Sequence, residues 1–460
     1  MTSEKELKKN DVIRIEIDDI SSEGEGIGHF NGYTLFVKDT ITGDIVDVKI
    51  MKMKKSYGYA RLIHLITPSP IRVEPKCPIA RQCGGCQVQH MDYKEQLKYK
   101  ENKVKNCLTR IGKFDKEYID SIMEPIAGME EPFYYRNKAQ FPVGRDKDGK
   151  VVIGFYASRT HTIIDTAHCY IQAKINEEII ERVKVFIEKY NITTYDEENH
   201  TGLVRHILTR VGFVTGEIMV CLILNGDDIP HKDKFIDSLT DIEGMTSISL
   251  NINKEKTNVI LGNKVVTVWG KPYIVDYIGD VKYQISPLSF YQVNPVQTKV
   301  LYETALDYAG LKGDETVWDL YCGIGTISLF LAKKAKKVYG VEIISQAVED
   351  AKMNGKINGI DNAEFFVGAA EEVLPAKYKE EQIYGDVIVV DPPRKGCDEG
   401  LLETIIKMNP KKVVYVSCDP ATLARDLRYL NDNGYNLKKI RAVDQFSHST
   451  HTEAVVLLQK

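Results

Sequence analysis

Residues 281–460 alternate short apolar runs with segments of helical periodicity. The apolar runs are ETVWDLYCG, KKVYGVEI, AEFFVGAA, DVIVVDPP and KKVVYVSC. Between them lie the helical segments TISLFLAKK, SQAVEDAKMNGKING, LLETIIKM and TLARDLRYL, and two more strands, LKKIRAVDQF and EAVVLLQ, end the chain. Apolar strands that alternate with helices are typical of a parallel sheet covered on both faces. The pattern predicts a doubly wound α/β domain over residues 281–460.

Two other patterns precede this domain. Residues 1–66 contain closely spaced alternating strands with glycines at the turns, which predicts a small closed β-barrel. These strands are VIRIEIDDI, TLFVKDT, DIVDVKIMKMKK and YGYARLIHLI. Residues 67–280 begin with a proline-rich linker and continue as mixed helices and strands. We therefore expect three domains, with boundaries after residues 66 and 280.

The composition is that of an ordinary soluble protein, with 27% charged residues, 43% apolar residues and a net charge of −4. No apolar run approaches the roughly 20 residues that a membrane helix needs. The N-terminus also lacks the apolar core of a signal peptide, so we expect a cytoplasmic protein, and a monomer. Its nine cysteines are then better explained by metal binding or catalysis than by disulfides.

Three cysteines, Cys77, Cys83 and Cys86, follow the linker with the spacing C-x5-C-x2-C. Soft thiolate ligands select zinc or an iron–sulfur cluster, and the spacing alone does not separate the two. Either group needs a fourth ligand. Cys107 lies on a segment of helical pattern and is predicted to be core, whereas Cys169 lies in a polar turn. Cys169 is therefore the better candidate.

A polar turn, Ser417–Pro420, follows a buried apolar strand, and Thr422 is a possible N-cap of the helix after it. Parallel sheets bind ligands just beyond the carboxyl ends of their strands, so Cys418 would face a cleft. A thiolate whose pKa is lowered by its surroundings is a strong nucleophile. A buried structural cysteine is the commoner role of a lone cysteine. The upstream loop and a carboxylate near the C-terminus favour the nucleophile.

The upstream loop is DLYCGIGT, residues 319–326, between the first strand of the domain and a helix. Gly323 and Gly325 let the backbone approach a ligand, and Glu342 ends the next strand, where it suits ribose hydroxyls. A dinucleotide site is the rival, but the third glycine of its G-x-G-x-x-G motif is absent. The pattern is instead similar to that of class I S-adenosylmethionine (AdoMet) methyltransferases, which have D-x-x-C-G-x-G, then V-E, and then DPPR, here beginning at Asp391.

Five motifs in this order resemble those of the RNA uracil-C5 methyltransferases. They are FYQVN (290–294), DLYCGIGT (319–326), VVDPPRKG (389–396), YVSCDP (415–420) and HTEAV (451–455). The segment GEGIGHFNGYTLFVKDTITGDIVDVKI also resembles the TRAM domain, an OB-like barrel attached to RNA-modifying enzymes. The resemblance implies a Rossmann-like class I methyltransferase domain and an N-terminal RNA-binding barrel. Together with the cysteine spacing, it implies that the substrate is bacterial 23S rRNA.

The resemblance also implies roles for individual residues. Cys418 adds to C6 of the uracil, so that C5 gains carbanion character and accepts the AdoMet methyl group, and Glu453 then removes the C5 proton. The target base must be unstacked or flipped to be reached. The cofactor contacts carried over are Gln292, Tyr321, Glu342 and Asp391, beside Gly323 of the loop. The metal ligands carried over are Cys77, Cys83, Cys86 and Cys169, around a [4Fe–4S] cluster.

Two departures and three rival functions remain. Asp419 and Thr326 stand where asparagine is common in the family. A cytosine-C5 methyltransferase usually has a cysteine beside its DPP-type motif, where this chain has Arg394. A tRNA uracil-C5 methyltransferase is the nearer rival, although its bacterial form usually lacks the barrel and the cysteine cluster. A non-catalytic RNA-binding iron–sulfur protein is the third, and a methyl-transfer assay discriminates it.

Overall fold

The computed structural model describes residues 7–158 and 160–460, which form two compact units. The first unit holds the chain up to Lys103 together with Phe446–His451. The second unit holds Val104–Gln445 and Thr452–Lys460, so the chain leaves it after Gln445 and re-enters it at Thr452. In the described part of the chain, no helix is both long and apolar enough to span a membrane.

The first unit contains a closed five-stranded barrel with the strand order β1-β2-β3-β5-β4. Its strands are β1 Val12–Ile20, β2 Gly26–Phe30, β3 Tyr33–Lys38, β4 Ile45–Met53 and β5 Tyr57–Thr67. Alternate residues such as Ile15, Ile17 and Val48 fill the barrel, as the period of two in the sequence requires. The predicted N-terminal barrel is confirmed.

Ten helices lie in the described residues. Helix α1, Tyr93–Arg110, carries the chain from the first unit into the second. The others are α2 Lys116–Ile122, α3 Asn176–Lys189, α4 Lys232–Asp237, α5 Pro295–Ala309, α6 Thr326–Ala332, α7 Ser345–Ile357, α8 Ala370–Glu380, α9 Glu399–Met408 and α10 Pro420–Asp432.

The second unit contains a mixed sheet of seven described strands, in the order β13-β12-β11-β10-β7-β8-β9. Its strands are β7 Lys138–Arg145, β8 Val151–Tyr156, β9 Ile163–Asp165, β10 Val204–Val211, β11 Ile218–Leu224, β12 Met245–Ile252 and β13 Lys264–Gly270. A two-stranded sheet, β14 Ile274–Ile278 and β15 Val281–Ile285, follows. Helices α3 and α4 pack on the larger sheet through Ile179, Val183 and Phe235.

The C-terminal part of the second unit is built on an eight-stranded sheet, in the order β18-β17-β16-β19-β20-β22-β21-β6. Its strands are β6 Met123–Ala127, β16 Thr316–Leu320, β17 Lys337–Glu342, β18 Ala363–Val367, β19 Val387–Val390, β20 Lys412–Ser417, β21 Asn436–Val443 and β22 Glu453–Gln459. Five neighbouring strands, β18, β17, β16, β19 and β20, are parallel to one another, which confirms the predicted doubly wound sheet. Strand β6 joins its edge from far upstream, beside β21, which the sequence analysis did not predict.

The direction of β22 decides what reaches the ligand edge of this sheet. Val413–Val416 of β20 are fully buried, as expected for an interior strand covered on both faces. The turns after β16, β19 and β20 therefore open at one edge, formed by the carboxyl ends of the parallel strands. Strand β22 runs antiparallel to β20, so its first residue, Glu453, lies at that same edge.

Candidate active site

The glycine loop after β16 has an unusual backbone. Tyr321 adopts φ 71°, a left-handed conformation that is uncommon outside glycine, and Gly323 adopts φ 55°. The amides of Tyr321 and Cys322 both donate to the carbonyl of Val341, at 3.0 Å. A β-carbon built on Gly323 would meet no atom within 4 Å, so open space lies beside this part of the loop.

Glu342, at the end of β17, connects the two neighbouring loops. Its Oε2 accepts the amide of Gly323 at 3.1 Å, and its Oε1 accepts the amide of Ile344 at 3.0 Å. A carboxylate has about four acceptor positions, so these two bonds leave capacity for hydroxyl donors of a ligand. The structure therefore brings together two of the predicted cofactor residues, Gly323 and Glu342.

Three side chains that the sequence analysis did not single out brace the loop. Tyr302 donates its hydroxyl to Thr326 Oγ1 at 2.9 Å, and Tyr283 donates to the Thr326 carbonyl at 3.0 Å. Asn354 Nδ2 donates to the Ile324 carbonyl at 3.1 Å. Thr326, which departs from the family pattern, is thus a structural acceptor at the start of α6.

Asp319 is a buried carboxyl at the base of the loop. Ser328 Oγ donates to its Oδ2 at 2.5 Å, while Oδ1 is buried without a hydrogen-bond partner. Burial raises the pKa of Asp319 to about 7. Asp319 was not among the predicted site residues, although it opens the DLYCGIGT motif.

Cys418 and Glu453 lie at adjacent strand ends. Ser417 pairs with Ala454 in the antiparallel β20–β22 ladder. Cys418, which follows Ser417, and Glu453, which precedes Ala454, therefore both lie just past this pair. Cys418 is half-buried, whereas Glu453 is only 3% exposed. The structure therefore brings the predicted nucleophile and the predicted base to one place in the fold.

Burial and like charges set the protonation of this pair. Burial raises the pKa of Glu453 to about 8, and the neighbouring carboxylate of Asp391 adds to the rise. Burial raises the pKa of the Cys418 thiol to about 12, with Glu453 and Asp391 adding to it. Burial also raises the pKa of Asp391, to about 6. Each of these groups favours its neutral form more than in water.

Arg394 opposes these shifts. Its positive charge lowers the pKa of both Cys418 and Glu453. It follows Asp391-Pro392-Pro393, in the turn after β19, and is itself exposed. A positive charge near a thiol favours the thiolate, so Arg394 belongs to the site. The sequence analysis did not assign it, although the final residue of DPPR marks its position.

The turn that carries Cys418 is held by a helix cap. Asp419 Oδ1 accepts the amides of Ala421 and Thr422, at 2.9 and 3.1 Å, and Pro420 occupies the first helical position of α10. The N-cap is therefore Asp419, and the assignment of Thr422 was wrong. An aspartate two or three residues before the amides it accepts is well placed to cap, and proline fits the first position, where no N–H is needed.

Gln292 lies in the loop before α5 and is half-buried. Its backbone carbonyl accepts Asn137 Nδ2 at 3.0 Å, and Asn294 caps α5 by accepting the amide of Gln297 at 3.2 Å. These bonds order the backbone of FYQVN. They leave the role of the Gln292 side chain a prediction.

The predicted metal ligands belong to two different units of the structure. Cys77, Cys83 and Cys86 lie in the first unit and Cys169 in the second. Cys83 Sγ accepts the amide of Gly85 at 3.4 Å, and burial raises the pKa of the Cys77 and Cys83 thiols. Within residues 7–158 and 160–460, no three His, Cys, Asp or Glu side chains are placed to hold a metal ion. The [4Fe–4S] cluster stays a prediction.

Sequence comparisons agree with the fold. The sequence model of the family described as tRNA (Uracil-5-)-methyltransferase matches residues 92–460, and that of the TRAM domain matches residues 6–63. A protein from Clostridium tetani named uncharacterized RNA methyltransferase is 52% identical over 453 residues, covering 98% of this chain and 97% of its own. A Bacillus cereus protein of the same name is 50% identical over 455 residues, covering 99% and 98%.

A solved structure matches almost the whole length of the chain. Pyrococcus abyssi tRNA (uracil-54, C5)-methyltransferase, in complex with S-adenosyl-L-homocysteine, superposes with a TM-score of 0.78 and 29% identity. The match covers 97% of this chain and 100% of the other. With the doubly wound sheet, the glycine loop and the N-terminal barrel, these matches show that the chain belongs to the tRNA/RNA uracil-5-methyltransferase family and carries a TRAM domain.

Proposed function

We propose that this protein methylates C5 of a uridine in RNA, with AdoMet as methyl donor. The observation that carries the proposal is the β20–β22 register, which sets Cys418 and Glu453 side by side at the ligand edge. A nucleophilic thiol and a carboxyl base at one position are what C5 methylation of a pyrimidine requires. The complex of the Pyrococcus abyssi enzyme with S-adenosyl-L-homocysteine supports the choice of cofactor.

The glycine loop offers a place for AdoMet, which supplies an electrophilic methyl group when bound. The open space beside Gly323 fits a ligand lying against the backbone, and Glu342 has acceptor capacity for ribose hydroxyls. We assign the remaining contacts to Gln292, Tyr321 and Asp391. Asp391 suits the sulfonium side of the site because it comes directly after β19, next to the glycine loop.

Cys418 and Glu453 divide the chemistry on the base. Once its proton has left to solvent, the Cys418 thiolate forms a bond to C6 while the C5–C6 π electrons move toward C5 and O4. C5 then takes the methyl group, and the S–CH3 bond of the donor breaks to leave a neutral thioether. Glu453 then takes the C5 proton, the C–H electron pair forms the C5–C6 double bond, and the C6–S bond breaks to release the thiolate. Burial raises the pKa of the Cys418 thiol, and the positive charge of Arg394 favours the thiolate.

We propose 23S rRNA as the RNA substrate. The TRAM domain and the cysteine spacing support it. tRNA is the second candidate, because the family description and the Pyrococcus abyssi enzyme both name tRNA. Mapping 5-methyluridine in rRNA and tRNA from a strain lacking the gene decides between them. Loss of the modification from 23S rRNA alone supports the proposal, and loss from tRNA alone overturns it.

The direct test of the reaction is methyl transfer by the purified protein to RNA. Cys418→Ala should abolish it while AdoMet binding stays within about twofold, because the thiol acts on the base and not on the cofactor. The labelled methyl count on RNA and calorimetric AdoMet binding measure the two effects. Near-normal turnover by Cys418→Ala would remove Cys418 as the nucleophile, and Cys221→Ala is the matched control, since Cys221 is a buried thiol of β11 in the seven-stranded sheet.

A further inference from the structure

We propose that Asp426 is a positioning residue that holds Arg394 beside Cys418 and Glu453. The inference rests on the proposed uridine methylation, whose nucleophile and base Arg394 serves. Asp426 lies one and a half turns into α10, away from the reacting groups, and nothing in the sequence motifs points to it.

Asp426 is a buried hydrogen-bond hub with only 1% of its surface exposed. Its Oδ2 accepts the amide of Cys397 at 2.8 Å and the hydroxyl of Tyr415 at 2.6 Å. Its Oδ1 accepts Nε of Arg425 at 2.7 Å. One carboxylate therefore ties together the turn after β19, the middle of β20 and helix α10.

The same helix holds the turn that carries Arg394. Thr422 Oγ1 donates to the Arg394 carbonyl at 3.0 Å, and Arg425 Nη2 donates to the Lys395 carbonyl at 2.9 Å. Gly396 packs so closely that a β-carbon there would lie 2.5 Å from Arg425 Nη2 and 2.6 Å from Asp426 Oδ2. The backbone from Arg394 to Cys397 is thus fastened at each successive residue.

Burying the Asp426 carboxylate has a cost, because removing a charge from water takes more free energy than burying an apolar side chain of similar shape. The packing of β20 against α10 would not need it. What the carboxylate adds is direction, because it accepts an N–H from one element and an O–H from another at once. The turn it orients carries Arg394, whose charge favours the ionised forms of both Cys418 and Glu453.

The test is a double-mutant cycle on methyl transfer to RNA. Asp426→Asn puts an amide N–H against the Arg425 guanidinium or the Cys397 amide, and the displaced turn should lower kcat about 10- to 100-fold, the usual cost of a 1 Å misplacement. AdoMet affinity should not change. In an Arg394→Ala background, Asp426→Asn should cost almost nothing further, because both changes act through one guanidinium. Asp432→Asn, an exposed carboxylate on the same helix, is the control and should be silent.

A second readout avoids substrate altogether. Alkylation of Cys418 by iodoacetamide at fixed pH, followed by peptide mass mapping, should slow in Asp426→Asn and in Arg394→Ala, and no further in the double variant. If Asp426→Asn fails to fold, Thr422→Val removes the bonds of the Thr422 hydroxyl to the Arg394 carbonyl, at 3.0 Å, and to the Asp419 carbonyl, at 3.3 Å, and should show the same non-additive loss. If Asp426→Asn lowers kcat or the alkylation rate by the same factor in the wild type and in Arg394→Ala, the inference is overturned. An inactive wild type on every RNA would instead overturn the proposed function, while alkylation still tests Asp426.

Discussion

Glu453 is the residue whose protonation most directly limits the proposed reaction. Burial, with Asp391 adding to it, raises its pKa to about 8, and Arg394 opposes the rise. A base must be ionised to accept a proton, so Glu453 is mostly in the wrong form at pH 6 and mostly in the right form at pH 9. The elimination step after methyl transfer reports the ionisation of Glu453 without that of Cys418, because Cys418 is then bonded to C6.

We therefore expect the covalent protein–RNA complex of the wild type to accumulate at pH 6 and to break down after a jump to pH 9. Its breakdown rate should rise about tenfold per pH unit below pH 8 and level off above it. Denaturing gels of quenched samples measure the complex. A breakdown rate that is flat between pH 6 and 9 would contradict the assignment of the base.

Glu453→Gln removes the base while keeping its shape. Cys418 can still add and the methyl group can still arrive, but the C5 proton remains and elimination stops. The variant should accumulate an RNA complex that carries labelled methyl, with turnover reduced about 10²–10⁴-fold. Glu403→Gln, an exposed carboxylate paired with Lys407, should turn over normally. A variant that stalls before methyl transfer would move the base role to Asp391.

At the scale of elements, the glycine loop offers a paired experiment. Gly323 and Gly359 both have left-handed backbone, φ 55° and 65°, and a β-carbon would meet nothing within 4 Å at either. Alanine at each should cost a similar 1–2 kcal/mol or so of stability, the penalty of an L-residue in this conformation. Melting temperatures compare the two.

Only Gly323→Ala should also affect cofactor binding. Its methyl group enters the space where we place AdoMet and should raise the AdoMet Kd about tenfold or more, which is about 1.4 kcal/mol. Gly359→Ala should bind AdoMet like the wild type, because it lies in the turn after α7. Titration calorimetry gives both values. Equal affinities would show that the space beside Gly323 is not the cofactor site.

At the scale of the whole molecule, the cysteines give a separable prediction. If the four cysteines hold a [4Fe–4S] cluster, as the family resemblance implies, anaerobically purified protein should contain about four iron atoms per chain and absorb in the visible range. Cys169→Ser should lose the iron, whereas Cys107→Ser, a partly buried helix residue packed against the core, should keep it. Metal analysis distinguishes the outcomes. Stoichiometric zinc without visible absorbance would replace the cluster by a zinc site.

The sequence by itself determined the local elements and their order. Strands such as β20 are continuous apolar runs because both their faces are buried, and the barrel strands alternate because only one face is. The motifs likewise pointed to Cys418, Glu453 and the glycine loop. The three predicted domains stay a proposal beside the two compact units, whose limits depend on contacts between distant segments.

Only the tertiary structure decided how these pieces meet. The antiparallel direction of β22 brings Glu453 next to Cys418, across a separation in the chain that no periodicity encodes. Burial then raises the pKa values of Asp391 and Glu453, and burial depends on the packed surroundings rather than on the residue type. The hydrogen bonds of Asp319 and Asp426 depend on packing in the same way. A side chain acquires its charge state and its partners only from neighbours that folding brings to it.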